Sequence, residues 1–257
     1  MHLVAAGTAV AVPGAAPWAL CGVALNHLLI TAAGLTPRSN LLGQNMTKLP
    51  AAAAARSEIA LTIDDGPDPE VTPRVLDLLD VAGARATFFC IANRVRQHAA
   101  LARDIVGRGH CIQNHTAQHR HHFSLSGPRA FEAEILQAQH IIHDVVGVRP
   151  QYFRAPAGLR NPFLAPVLHR LGLTLVTWTR RGFDTRETCP DKVLARLGGR
   201  LAAGDILLMH DGNAARAQDG RAVVLHVLPR LLEHAQAQGL TTVMLPVSSA
   251  GIRSAAA

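Results

Sequence analysis

The stretch Ile59-Ala60-Leu61-Thr62-Ile63-Asp64-Asp65-Gly66-Pro67 decides how the rest of the chain is read. Residues 59–63 form a short, mainly apolar run, the pattern of a buried strand. It ends on two adjacent carboxylates, and Gly66 and Pro67 then turn the chain. An Asp-Gly turn that merely stops a strand has the same letters. Two acids side by side at a strand end are unfavourable unless positive charge stands beside them. The meaning of the pair therefore depends on what the other strand ends carry. Adjacent side chains diverge, so the two acids can take different tasks.

Outward from this strand, apolar segments alternate with helical patterns. Strands are expected at Ala86–Ile91, Cys111–Asn114, Tyr152–Arg154, Leu173–Trp178, Asp205–His210 and Leu240–Leu245. Between them lie helical stretches. Thr72-Pro73 opens one as N-cap and first-turn residue, and Phe131, Ile135, Ala138, Ile142 and Val145 repeat at helical spacing before Gly147. About seven strands alternating with helices predict a parallel sheet covered by helices. Polar residues stand at five strand ends: Asp64 and Asp65, His115 and His119, Arg154, Asp184, and His210. An open sheet gathers its chemistry at one switch point, whereas a barrel gathers it from many strand ends, so a barrel is expected. No GxGxxG or P-loop is present.

At 257 residues, with 49% hydrophobic and 17% charged residues, the chain holds one large globular domain. The formal charge of +7 comes from scattered arginines, so a nucleic-acid partner is not expected. Four cysteines without CxxC spacing outline no disulfide framework, and Cys90 reads as inert core. Residues 1–37 carry no Lys, Arg, Asp or Glu, and the 18-residue piece Trp18–Leu35 is just long enough to span a bilayer. Asn26 and His27 interrupt it. The expected organisation is an apolar, membrane-associated N-terminal segment plus linker over residues 1–55, then a catalytic domain over residues 56–257. Arg38, Lys48 and Arg56 after the apolar piece favour a cytoplasmic domain by charge bias.

Asn114-His115-Thr116-Ala117-Gln118-His119 sets two imidazoles four residues apart, which on a helical turn suits a divalent metal. The Asp64–Asp65 pair offers a third ligand, and a His₂Asp set leaves positions open for water and substrate. His110, His121 and His122 compete for the same reading. Arg154, at a strand end before Ala155-Pro156-Ala157-Gly158, is a natural carboxylate partner. His210, at the end of an apolar strand, is the obvious titratable acid.

The ordered set Thr62-Ile63-Asp64-Asp65-Gly66-Pro67, His115-Thr-x-x-His119, Arg154-x-Pro156-x-Gly158, a Trp178-led segment with an Asp, and Leu208-x-His210 resembles the polysaccharide deacetylase family. This is the NodB-homology group, carbohydrate esterase family four. The resemblance spans about residues 59–245 and implies a distorted (β/α)7-type barrel, related to the TIM barrel. It also implies a hydrolase that removes acetyl groups from N-acetylated sugars of a glycan, usually with zinc. By position, Asp65, His115 and His119 resemble the metal ligands, Asp64 the general base and His210 the acid for the leaving amine. The backbone N–H of Ala157 corresponds to an oxyanion donor. Arg154 corresponds to the residue that orients Asp64, and Trp178 and Leu208 to the wall around the acetyl methyl. O-acetyl esterase action on the same site and a non-catalytic glycan-binding relic are the alternatives.

Three positions depart from the family pattern: Arg181 stands where an Asp is common, Ala157 where a Tyr is usual, and Arg120 where a Pro is common. With Arg181 in that place, Asp184 is the acid expected to reach the site, toward Arg154 or its neighbours, with Gly182 making the turn.

Overall fold

The computed structural model describes His2, Val12 and residues 14–246. Helix α1 (Ala16–Leu35) and the short α2 (Ala51–Ala55) precede the first strand. The chain then runs β1 (Glu58–Asp64), α3 (Thr72–Val81), β2 (Thr87–Cys90), α4 (Ala92–Gln97), α5 (Ala99–Gly107), β3 (Cys111–Asn114), α6 (Pro128–Val146), β4 (Tyr152–Phe153), α7 (Leu164–Arg170) and β5 (Thr174–Leu175). It closes with β6 (Arg180–Arg181), α8 (Pro190–Gly198), β7 (Ile206–His210), α9 (Val223–Ala237) and β8 (Thr241–Val243). The strands pair in parallel in the order β5-β4-β3-β2-β1-β7-β6, with β8 against the start of β1. No ladder joins β5 to β6, so the sheet is a distorted (β/α) barrel open on one side.

Period-two alternation divides each strand between two cores. Ile59, Leu61 and Ile63 of β1, Phe88 and Cys90 of β2, and Leu207 and Met209 of β7 face outward into the layer packed by α3, α5, α8 and α9. Ala60, Phe89, Tyr152 and Ile206 face inward, onto Leu49, Ala53 and Leu245, and fill the barrel floor. Thr62 and Asp64 share the parity of Ala60, so the strand that begins in an apolar floor ends in a polar mouth. Cys90 is fully buried in the outer core, as expected, and all four cysteines are free.

The expected linker is part of this barrel. Met46 pairs in parallel with Val176, and Lys48 bridges Asp205. The Leu49 N–H donates to Gly204 O at 2.9 Å. Leu49 and Ala53 are buried in the floor. A boundary at residue 55 therefore cuts through packed structure, because the gap left by the short strands β5 and β6 needs residues 46–49 to fill it. Further upstream, Ala33 and Gly34 at the end of α1 are buried, and Gly34 O accepts the Arg160 N–H at 3.2 Å. By length and composition α1 could cross a membrane, with mean hydropathy 1.6 and 11% of its apolar window buried.

The strand expected over Leu173–Trp178 is shorter, β5 at Thr174–Leu175, and a further short strand, β6, follows after residues 176–179. Thr72 is the first residue of α3 rather than its cap. Its hydroxyl turns to Asp211 at 2.5 Å, and Asp68 Oδ1 takes the Glu70 and Val71 N–H groups instead, both at 2.9 Å.

Candidate active site

Register assembles the site. Asp64 pairs with His210 and Thr62 with Leu208 across β1 and β7, and Arg181 of β6 pairs with Leu208. Paired residues of a parallel ladder point to the same face, so these side chains share the mouth of the barrel. Asp64, Arg181, Leu208 and His210 line a cleft of about 560 Å³ with His115, His119, Ala157 and Trp178. A larger groove of about 800 Å³ between residues 41–44 and α7 holds His169 as its one titratable side chain and lies outside this cluster.

Arg154 is wholly buried and stacks on Phe89, its guanidinium carbon 4.0 Å from the ring centroid. Nη1 donates to Asp64 Oδ1 at 2.5 Å and to Thr62 Oγ1 at 2.9 Å. Nη2 donates to Thr177 O at 3.1 Å and Nε to Val176 O at 3.3 Å. A buried fork is tolerated only when its donors are met, and four of its five N–H groups are bonded here. Those two carbonyls belong to the segment that Met46 holds, since Met46 O accepts the Thr177 N–H at 3.0 Å. The N-terminal bridge thus supports the arginine that fixes Asp64.

His115 and His119 are not on a helical turn, as their spacing suggested, but in an irregular loop after β3. Asn114 Oδ1 accepts the Thr116 N–H at 2.9 Å and Thr116 Oγ1 the His119 N–H at 2.8 Å. Left-handed backbone at Thr116 and His119 (φ 66° and 55°) brings the rings to 4.8 Å between centroids. His115 Nδ1 bonds Arg154 O at 2.8 Å, which leaves Nε2 as the ligand atom. Nε2 of both histidines lies 3.3 Å from Asp65 Oδ1. That oxygen is buried and has no hydrogen-bond donor. An orphaned carboxylate oxygen facing two imidazole nitrogens is the donor set of a divalent cation, and the three ligand atoms lie within 4.8 Å of one another. Burial raises the Asp65 carboxyl, but His115, His210 and His119 outweigh it and hold it below the usual carboxylate range. Burial, and then the charge of His115, lowers His119 to about 4, so it is neutral at pH 7, the form that ligates. Of the competing histidines, His110 is a structural residue whose Nδ1 accepts the Ala86 N–H at 3.2 Å.

Asp184 reaches the site but not Arg154. Its carboxylate takes the His210 backbone N–H at 2.7 Å and His210 Nδ1 at 2.8 Å. Four of the five Arg154 donors already go to Asp64, Thr62 and two carbonyls, and Asp184 takes the imidazole instead. Burial alone would depress His210, but Asp184, with Asp64 and Asp65 behind it, raises it to about 9. Phe183, not Gly182, makes the turn, with φ 60°. Gly182 serves close packing instead, since a Cβ there would meet Val193 Cγ1 at 2.6 Å. Of the seven non-glycine residues with positive φ among those described, Asp65, Thr116, His119, Ala157, Phe183 and Asn213 lie in or beside the site and only Ser57 lies elsewhere. Strain so concentrated is the pattern of preorganised functional geometry.

Several contributors escaped the sequence reading. Asn213 donates to Asp65 Oδ2 at 3.1 Å and accepts from Arg94 Nη2 at 3.1 Å. Thr62 shares Arg154 with Asp64, and its signal was available: a lone hydroxyl in an apolar run at the parity of a site residue. Asp211 approaches Gly66 closely, and burial raises its carboxyl to about 7.

A family model described as polysaccharide deacetylase matches residues 51–176. The chain is 35% identical to a peptidoglycan-N-acetylglucosamine deacetylase of Bacillus cereus, over 67% of this chain and 81% of that protein. It is 32% identical to a chitooligosaccharide deacetylase of Azorhizobium caulinodans, over 74% of this chain and 94% of that protein. Among solved structures it is similar to a family 4 carbohydrate esterase from Streptomyces lividans in complex with acetate, at 31% identity and TM-score 0.67, over 74% of this chain and 93% of that one. With the metal-type donor set, the paired acids and the barrel mouth in register, these likenesses place the chain in the polysaccharide deacetylase family, a family of hydrolases.

Proposed function

We propose that this chain hydrolyses the acetamide of an N-acetylated sugar, of the N-acetylglucosamine type, within a poly- or oligosaccharide, with a divalent metal as cofactor. The observation that carries the reading is the buried, donorless Asp65 Oδ1 between two imidazoles, opposite an imidazole that its own carboxylate partner keeps protonated. Asp65, His115 and His119 would hold the cation. Zinc, which suits this donor set, supplies Lewis acidity and a nucleophile from water near neutral pH.

The chain's own groups divide the proton work. Asp64 Oδ1 is bound by Arg154, and Oδ2 lies 3.8 Å from His115 Nε2, on the cation side, where it accepts a proton from the attacking water. His210, with Nδ1 bonded to Asp184, directs Nε2 into the cleft to protonate the leaving amine. An amine leaves only when protonated, and an imidazole titrating near 9 holds that proton at neutral pH. The Ala157 N–H, on an exposed left-handed residue of the cleft wall, donates to the carbonyl oxygen as negative charge develops. Trp178 and Leu208 enclose the methyl.

The test is acetate release from chitooligosaccharides, peptidoglycan, poly-N-acetylglucosamine and acetylxylan, with and without chelator. Release from the N-acetylated glycans that chelator abolishes and zinc restores is expected. Release from acetylxylan alone would establish the O-acetyl esterase instead. No release from any substrate by the metal-loaded protein would leave the non-catalytic relic.

A further inference from the structure

Arg181 has no part in the chemistry above, yet it stands in the same cleft. Its pairing with Leu208 puts the side chain on the inner face, one residue pair below the level of Asp64 and His210. The guanidinium is held between two aromatic rings, 5.2 Å from the Trp178 centroid and 4.9 Å from that of Phe183. Its Nε is buried without a hydrogen-bond partner, and it forms no ion pair with any described carboxylate. The nearby acids are already engaged: Asp64 by Arg154, Asp184 by His210, and Asp65 between two histidines. Arg186, exposed on the same cleft wall, also lacks an ion pair among the described residues.

A half-buried guanidinium whose Nε is buried without a partner is unfavourable in the free protein, and its two Nη groups form no hydrogen bond with a described residue. Aromatic plates hold the fork rigid, so little rotamer freedom remains to be lost when a planar oxyanion docks on it. Carboxylate and phosphate match that fork bidentately, whereas neutral sugar hydroxyls do not.

The geometry points to Arg181 as a specificity-determining residue that binds an oxyanion, carboxylate or phosphate, carried by the substrate beside the acetylated sugar. This rests on the deacetylase reading and narrows it to anionic N-acetylated glycans. Arg186 lies where it adds to the attraction without fixing geometry.

The full-length, zinc-loaded protein is assayed for acetate release on three arms: neutral chitooligosaccharides, peptidoglycan fragments bearing the lactyl carboxylate, and N-acetylglucosamine 1-phosphate glycosides. The wild type is expected to favour one anionic arm by about tenfold or more in kcat/KM, mostly through KM, the scale of a hydrogen bond to a charged group. The arm that wins identifies the source of the oxyanion. Arg181→Gln should collapse the ratio of anionic to neutral substrate, and Arg181→Lys should restore part of it, since the charge returns without the fork. A readout independent of turnover is calorimetric binding of glucosamine 1-phosphate and of muramic acid against glucosamine, in wild type and Arg181→Gln. Equal handling of anionic and neutral ligands by the wild type would overturn the inference, as would a preference that survives Arg181→Gln. If Arg181→Gln does not fold, Arg181→Lys takes its place and should lower the ratio part-way, and an unchanged ratio would overturn the inference. If no arm releases acetate, the deacetylase reading fails, and the binding ratios still test Arg181 separately.

Discussion

Asp184 grips His210 at two points, taking its backbone N–H on Oδ2 at 2.7 Å and its Nδ1 on Oδ1 at 2.8 Å. The first bond fixes where β7 ends, and the second fixes the orientation and charge of the ring that ends it. One buried carboxylate thus couples the loop after β6 to the proton donor of the site.

Asp184→Asn tests this coupling. Its loss should lower kcat by one or more orders of magnitude, the scale found when a group that orients a functional side chain is removed, with metal content unchanged. The basic limb of the pH–rate profile should move from near 9 toward the ordinary histidine value of about 6.5. An unmoved limb would refute the coupling.

The same shift makes a stability prediction. His210 titrates higher folded than unfolded, so its contribution is complete below about pH 6.5 and is lost as pH rises through about 9. In chelator, the wild type should lose stability over that window by denaturant titration. Asp184→Asn should show a flatter profile there.

Asp64 and Asp65 should separate cleanly. Asp65→Asn removes the carboxylate that faces both histidines, so zinc stoichiometry should fall sharply. Asp64→Asn should keep the metal and lose turnover, because Arg154 is left with a neutral partner that cannot take a proton. Equal zinc retention by the two variants, measured by elemental analysis, would defeat this assignment.

Gly66→Ala should destabilise the protein by about 1–3 kcal/mol, the cost of overpacking. A Cβ at Gly66 would come within 2.7 Å of Asp211 Cγ and nearer still to its oxygens. Thr72 fixes that carboxyl from the other side, at 2.5 Å, so it cannot retreat. Thermal denaturation gives the answer, and an unchanged Tm would show that the two loops can part freely.

A chain beginning at Arg56 should fold poorly, and one beginning at Thr36 should fold well and remain active. The shorter chain loses Leu49 from the barrel floor, on the order of 2–5 kcal/mol for a buried leucine, and loses Met46, which holds the segment that Arg154 binds. The full chain should fractionate with membranes and the Thr36 chain should not. Wild-type stability in the Arg56 chain would contradict the structural role of residues 46–49.

The barrel and most of its mouth were legible in the linear sequence, for a local reason. A parallel strand buried on both faces is a short apolar run, and a polar residue at its end has only the mouth to occupy, so Asp64, Asp65, Arg154 and His210 declared themselves. Helix α6 was equally plain, because apolar spacing and a terminal glycine are properties of neighbours in sequence. Tertiary structure decided the rest. Strand β6 is two arginines and carries no strand signal; it exists because β7 pairs with it. The 46–49 bridge reads as linker because its stabilisation comes from a gap between distant strands. The partner of Asp184 was settled by packing: four of the five Arg154 donors face Asp64, Thr62 and two carbonyls, and the loop after β6 sets Asp184 against His210. Sequence names the groups that can react, and only packing allots their hydrogen bonds, because each donor can be used once.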